Sequence, residues 1–203
     1  MLDLPRIATA MNASADPRVL QTLGMDGVSL ALWQRDLPEG LADWLDLLSP
    51  DQLPQMRATM PASKVAKAVR EACHADHAAA QAECFAEEIA TIARHATLAL
   101  GAPLLEVRLK VATGQSCPKW HVDAVAGRVL CTLRGPGTEY GPIDADGHAQ
   151  SVHQMARGAV AAFRGALWPG RELAGIVHRS PPATDGAPRL LLVIDPVDDW
   201  GRC

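Results

Sequence analysis

The sequence lacks three features that would each indicate a particular class of protein. It has no dense run of lysine and arginine, and its formal net charge is −4 over 203 residues, so nucleic acid is not an expected partner. No apolar stretch approaches the ~20 residues that a bilayer-crossing helix needs. The N-terminus has no basic start followed by an apolar run, as a secretory signal would have. We therefore expect a cytoplasmic protein with no membrane partner.

Motifs for disulfide, zinc and hydrolase chemistry are also missing. The five cysteines are scattered without a C-x-x-C pair, which indicates reduced thiols and no disulfide framework. No G-x-S-x-G motif is present, which argues against a serine hydrolase. What remains is the profile of an ordinary globular protein, with 48% hydrophobic and 21% charged residues. Because no flexible linker or repeat divides the chain, we expect one domain over 1–203.

Helix signals dominate the first half of this domain, about residues 1–100. An Asp-Pro pair before residue 18 predicts a short helix over 17–23, and a Ser-Pro-Asp-Gln capping arrangement predicts another over 49–59. The apolar spacing of 63–100 predicts a long amphipathic helix, broken near 76–80. One strand is expected among them, over 28–33.

Strand signals dominate the second half, about residues 101–203. Residues 105–111 alternate strictly between apolar and charged side chains, which is typical of a half-buried strand. Glycine and proline turns separate further short predicted strands, at 119–123, 128–134, 159–163, 175–178 and 189–195. The sequence therefore predicts an α+β fold, in which N-terminal helices pack on a C-terminal antiparallel jelly roll.

Two histidines and an aspartate stand out as candidate metal ligands. His121 and Asp123 are two residues apart in a predicted strand, so their side chains share one face, and His178 ends a later strand. Two imidazoles and a carboxylate form the facial triad that holds Fe(II) in oxygenases. A second His-x-Asp, His74 and Asp76, lies in a predicted helix, where residues two apart diverge by roughly 200°. The alternative is a surface His-Asp pair and a histidine at the edge of the core.

Arg189 is a candidate for binding an anionic cosubstrate. It begins a strongly apolar strand after His178, and its guanidinium could hold the distal carboxylate of a dicarboxylic acid with two hydrogen bonds. The alternative is an arginine at the strand edge that extends into solvent. Arg179, directly after His178, is expected to point to the opposite face, as an ion-pair partner or a rim residue.

Several cysteines could also bind a metal, but packed thiols are the commoner explanation for them. Cys73, His77 and Cys84 lie at the spacing of one helix face, which would allow a zinc site. Cys117 precedes His121 by four residues and could be a fourth ligand. We expect the three residues of the helix face to be dispensable for metal binding.

Several segments together resemble an uncharacterised bacterial family, domain of unknown function 1826. These segments are CPKWHVD at 117–123, RVLCTLRGPGTE at 128–139, FRG at 163–165, WPG at 168–170, HRSPP at 178–182 and RLLL at 189–192. The resemblance covers most of the chain. It implies an association with zinc-handling GTPases in some genomes, and so a metal-handling GTPase as a partner.

More distantly, His-x-Asp, a later His and a following Arg resemble the Fe(II)/2-oxoglutarate dioxygenases, whose fold is a double-stranded β-helix. The resemblance implies iron ligands at His121, Asp123 and His178, with Arg189 holding 2-oxoglutarate. The leading hypothesis is an Fe(II), 2-oxoglutarate-dependent oxygenase that acts on a small molecule or a protein side chain. One alternative is a non-catalytic protein of zinc or other metal homeostasis, and another is a purely structural binding domain.

Overall fold

The computed structural model describes residues 6–74, 78–182 and 188–197. Its α-helices are α1 (Leu41–Leu47), α2 (Val65–Ala72) and α3 (Ala79–Leu100), and Pro17–Gly24 and Ala62–Lys64 form 3₁₀ helices. Its strands are β1 (Ile7–Ala8), β2 (Ala10–Ser14), β3 (Val28–Trp33), β4 (Met56–Met60), β5 (Leu105–Ala112), β6 (Gly127–Arg134), β7 (Glu139–Pro142), β8 (His153–Gln154), β9 (Val160–Arg164), β10 (Leu173–Ala174), β11 (Ile176–Arg179) and β12 (Arg189–Pro196).

Two sheets form the centre of the molecule. The major sheet has seven strands in the order β2-β3-β9-β6-β12-β5-β4, and the minor sheet has three in the order β11-β7-β8. Neighbouring strands are antiparallel except for β2 with β3, and a separate pair of β1 with β10 is also parallel. The chain is therefore a mixed α and β protein as predicted, but its strands are not all antiparallel.

Each face of the major sheet has its own apolar core. On the outer face, Ile89 and Ile92 of α3 are buried with Val107 of β5 and Leu192 of β12. On the inner face, side chains of β3, β6, β9 and β12 pack against Tyr140 and Ile176 of the minor sheet. Because side chains alternate along a strand, the outward apolar residues of β5 leave its charged residues on the inner face.

The predicted break in the long helix is confirmed, since α2 ends at Ala72 and α3 begins at Ala79. Cys73 follows the end of α2 and Cys84 lies exposed in α3, so the expectation that these two thiols share one helix face is wrong. Asp76 and His77 lie outside the described residues.

The first hundred residues contain more strand than the sequence predicts. β4 stands where a helix over 49–59 is predicted, and that prediction is wrong. The capping contact does form, because Oε1 of Gln52 accepts from the Ser49 N–H at 3.0 Å, but it closes only a turn. Pro54 blocks a helix beyond this turn, since it lacks an N–H and disfavours helical geometry at the preceding residue. Met56 to Met60 instead pair with β5.

The predicted strand over 119–123 is also absent from the named strands of the structure. At His121 there is an isolated antiparallel bridge to His178. Among the described residues, no helix has both the length and the apolar character needed to cross a membrane.

Replacement of Ile89 or Ile92 by alanine should lower the free energy of unfolding by roughly 2 to 5 kcal/mol, because both side chains are fully buried and would leave a cavity. Chemical denaturation measures the loss. Leu98→Ala in the same helix is the matched control, since Leu98 is 61% exposed, and it should change stability little. Equal effects at buried and exposed positions would contradict the packing of α3 on the sheet.

Candidate metal centre

Backbone pairing brings His121 and His178 together. The N–H of His121 donates to the carbonyl of His178 at 3.1 Å, and the N–H of His178 donates to the carbonyl of His121 at 3.0 Å. Directly opposed residues of an antiparallel pair place their side chains on the same side. Accordingly, the two imidazole centroids lie 4.6 Å apart. The loop that carries His121 is also held to the end of β11, where the Ser180 N–H donates to the Cys117 carbonyl at 2.9 Å.

The Asp123 carboxylate lies between the two imidazoles. Its Oδ1 is 3.7 Å from Nε2 of His121, and its Oδ2 is 3.1 Å from Nε2 of His178. Each of the three side chains offers one ligand atom, and these atoms all lie within 4.8 Å of one another. Asp123 and His178 are buried and His121 is half-buried. The structure therefore brings all three predicted ligands to one point.

The surroundings of the two histidines favour ligation through Nε2. Nδ1 of His121 lies 2.9 Å from the Lys119 carbonyl and donates to it, which leaves the Nε2 lone pair free for a metal. The His178 ring packs against Phe163 with centroids 4.7 Å apart, which fixes its orientation. Nδ1 of His178 is buried without a hydrogen-bond partner among the described residues.

Burial and charge act in opposite directions on the ligand set. Burial of Asp123 favours its neutral form, but contacts with His121 and His178 and the Arg128 charge outweigh burial and hold the pKa of the carboxyl far below its usual range. Burial lowers the pKa of His178, which keeps its imidazole neutral. The contact with Asp123 raises the pKa of His121. An ionised carboxylate and a neutral imidazole are the forms that bind metals.

The donor set fits a divalent transition metal. Imidazole nitrogens and a carboxylate oxygen suit iron and its neighbours, and three ligands leave coordination positions open. Oδ2 of Asp123 is buried and accepts no hydrogen bond from the described residues, which is costly unless another group satisfies it. A cation placed among the three ligand atoms would satisfy this oxygen. The described residues contain no other group of three potential ligands at such distances.

A cavity of about 140 Å³ opens beside the two histidines. Its charged lining residues are all basic, and none of the described lining residues is an aspartate or glutamate. These basic residues are Arg108, Lys110, Arg128, Arg179 and Arg189. The apolar part of the lining comes from Leu130, Leu191 and Val193. A cavity lined by both basic and apolar side chains favours an anionic ligand that also has an apolar part.

Arg189 lies in this cavity and not in solvent, since only 7% of it is exposed. Its Nε donates to the Pro136 carbonyl at 2.8 Å, and its Nη2 donates to the hydroxyls of Thr132 and Thr138 at 3.0 and 2.7 Å. All of these partners are neutral, and no ion pair to a described carboxylate forms. Burial lowers the pKa of the guanidinium to about 10. An anion entering the cavity would meet a cation that is oriented and desolvated in advance.

Arg179 and the cysteines have other positions. Arg179 contacts Glu139 with Nε 2.7 Å from Oε2, and its guanidinium stacks over Trp120, so it is an ion-pair partner at the rim of the cavity. Cys117 is exposed and lines the cavity, but it does not belong to the ligand group.

Two important residues of the site were missed by sequence reasoning. Arg128 contacts Asp123 directly and also binds the buried carboxylate of Asp195. The sequence gives only a weak signal for this pair. Arg128 is a charged residue near the start of an apolar strand, and Asp195 is one near the end of another.

Comparison with solved structures relates the fold to dioxygenases. The rice dioxygenase for auxin oxidation superposes with a TM-score of 0.50 and 16% identity, covering 97% of this chain and 85% of that one. This likeness shows that the large-sheet fold of the chain is similar to the fold of that dioxygenase. Two other structures score lower. The dioxygenase for auxin oxidation 1 from Arabidopsis thaliana, bound to 2-oxoglutarate, has a TM-score of 0.49, 12% identity and coverages of 95% and 92%. A 2OG-Fe(II) oxygenase family oxidoreductase from Burkholderia pseudomallei has a TM-score of 0.44 and 14% identity, covering 92% of this chain and 96% of that one.

Sequence comparison identifies the family. No curated protein matches the chain at a significant level. Residues 14–195 match the profile of a family described as "Protein of unknown function (DUF1826)", which confirms the resemblance seen in the sequence. Because this match spans nearly the whole chain, the protein belongs to the DUF1826 family.

Proposed function

We propose that this protein is a non-haem Fe(II), 2-oxoglutarate-dependent oxygenase. One observation carries the proposal: the group of His121, Asp123 and His178 borders a cavity that its two histidines line together with Arg189, a buried guanidinium whose described partners are all neutral. A metal site and an anion site in one cavity are what a chelating dicarboxylic cosubstrate needs. The likeness of the fold to a rice dioxygenase agrees with this function.

The assignment of ligands follows from the chemistry of the side chains. His121, Asp123 and His178 would hold Fe(II), since they combine one negative charge with two neutral nitrogen donors. Arg189 would hold the distal carboxylate of 2-oxoglutarate, because a guanidinium binds a carboxylate with two charge-assisted hydrogen bonds. Bound Fe(II) and 2-oxoglutarate would supply the activation of O2 for substrate oxidation.

The chain itself contributes orientation and exclusion of water. The hydrogen bond from Nδ1 of His121 to the Lys119 carbonyl would leave Nε2 to bind the ion. The hydroxyls of Thr132 and Thr138 fix the direction of the Arg189 guanidinium before any ligand arrives, which lowers the entropic cost of binding. The apolar side chains of Leu130, Leu191 and Val193 would help to exclude water from the cavity when a ligand is bound.

The substrate would be a small molecule or a protein side chain that reaches the cavity from its rim. The competing hypothesis is a metal-binding protein without catalysis, with a metal-handling GTPase as partner. Binding of 2-oxoglutarate separates the two, because a protein that only handles metal has no need for a dicarboxylate site.

His121→Ala and Asp123→Ala should each lower bound Fe(II) sharply while the fold is retained, because each removes one of three protein ligands from a site whose backbone is held by the bridge between His121 and His178. Elemental analysis of anaerobically loaded protein measures the metal, and circular dichroism checks the fold. His74→Ala is the control and should leave the metal content unchanged, since His74 lies outside the ligand group. Full stoichiometric metal in both ligand variants would show that the three residues are not the site.

Arg189→Ala should retain Fe(II) but bind 2-oxoglutarate on the order of 2 to 3 kcal/mol more weakly, or about 30- to 150-fold, through loss of a charge-assisted bidentate contact. Anaerobic calorimetry of the Fe(II) protein measures the affinity.

Arg179→Ala is the matched control for this prediction. Arg179 lines the same cavity, but its charge is already paired with Glu139, so the affinity for 2-oxoglutarate should stay within a few-fold of wild type. If the intact Fe(II) protein shows no 2-oxoglutarate binding, the oxygenase proposal is rejected in favour of metal binding without catalysis.

A further inference from the structure

Arg128 connects the candidate metal ligand Asp123 to a second carboxylate. Its Nη1 donates to Oδ1 of Asp123. On its other side, Nε and Nη2 donate to the two oxygens of Asp195 at 2.7 and 2.8 Å. The Arg128 guanidinium therefore donates hydrogen bonds from two of its edges, to Asp123 from one and to Asp195 from the other.

Asp195 gives this arrangement a rigid support. It lies near the end of β12, is only 1% exposed, and also accepts a hydrogen bond from Arg108 of β5. Arg128 itself stands at the start of β6, which neighbours β12 in the major sheet. Because the two residues belong to adjacent strands of one sheet, the direction of the Arg128 guanidinium is set by the fold before a metal binds.

The two oxygens of Asp123 therefore differ in their surroundings. Oδ1 accepts from Arg128, whereas the buried Oδ2 accepts no hydrogen bond from the described residues and lies 3.1 Å from Nε2 of His178. A carboxylate with both oxygens free can bind an ion through one oxygen or through both. Binding through both would consume one of the positions that a facial triad leaves open.

We propose that Arg128 is a positioning residue that engages Oδ1 of Asp123, so that the carboxylate offers only Oδ2 to the ion. This inference rests on the proposed function and adds to it the means by which a coordination position stays free once 2-oxoglutarate has bound. Asp195 supports this role, because its two oxygens hold the Arg128 guanidinium in position. The simple alternative is that Arg128 only neutralises two buried carboxylates.

The test uses Mn(II) as the probe ion and the relaxation of water protons as the readout, which reports water exchanging on the ion. Wild-type protein loaded with Mn(II) and then 2-oxoglutarate should show relaxation enhancement from such water. Arg128→Lys should bind Mn(II) at the same stoichiometry but lose this enhancement. A lysine keeps the charge but is a point donor that does not span two carboxylates, so Oδ1 is released to the ion.

Two further variants separate positioning from charge neutralisation. Asp195→Asn keeps the shape of the side chain while weakening its hold on Arg128, and it should lose part of the enhancement without touching the metal ligands. Arg179→Lys is the matched control, because Arg179 also lines the cavity and pairs with a carboxylate at 2.7 Å but does not contact Asp123. It should keep the wild-type enhancement.

The outcomes distinguish the inference from the function on which it rests. Wild-type relaxation in Mn(II)-loaded Arg128→Lys and Asp195→Asn would overturn the positioning role while leaving the metal centre intact. Equal loss of enhancement in Arg179→Lys would also overturn it, since the effect would then belong to the cavity in general. Failure of the wild-type protein to bind Mn(II) or Fe(II) would reject the proposed function and the inference together.

Discussion

The candidate site depends on two backbone hydrogen bonds between His121 and His178. The two positions are 57 apart in the sequence, and the antiparallel bridge between them makes their side chains neighbours. The pairing fixes both imidazoles on one side and places Asp123, two residues further along, between them. A metal binding here would add three strong contacts to a geometry that the backbone already holds, so the ion would meet little conformational cost.

The inner face of the major sheet is built to hold charge at low solvent exposure. Glu106, Arg108, Asp195 and Arg128 alternate in sign along a chain of ion pairs that ends at Asp123. Each group in the chain is stabilised by its neighbours, because an unpaired buried charge would cost several kcal/mol. Arg189 differs, since its hydrogen bonds all go to neutral oxygens. Arg189 therefore offers the cavity a buried positive charge that no described carboxylate pairs, which suits an incoming anion.

Local sequence patterns predict those helices and strands that form because of nearby residues in the chain. The strand at β5 with its alternation, the strands β6 and β12 and the interruption of the long helix all appear in the structure. β4 could not be predicted, because its strand character comes from pairing with β5 across a wide gap in sequence. The ligand candidates could be chosen because residues two apart share a face on extended backbone, although only an isolated bridge forms at His121 in place of the predicted strand. Arg128 and Asp195 could not, since their contact arises only when β6 and β12 lie side by side.

The outer face of the major sheet packs against helices, whereas its inner face lines the candidate site. The outward side chains of β5, such as Val107, pack with α3, whereas its inward Arg108 and Lys110 line the cavity. Alternate residues of one strand thus serve packing on one face and ligand binding on the other, because side chains alternate between the two faces. A cavity made in the helix-facing core at Ile89 would weaken the sheet as a whole. A substitution at Arg189 would change which ligands the cavity binds. It would leave the helix-facing core unchanged, because the backbone pairing of the strand does not depend on the Arg189 side chain.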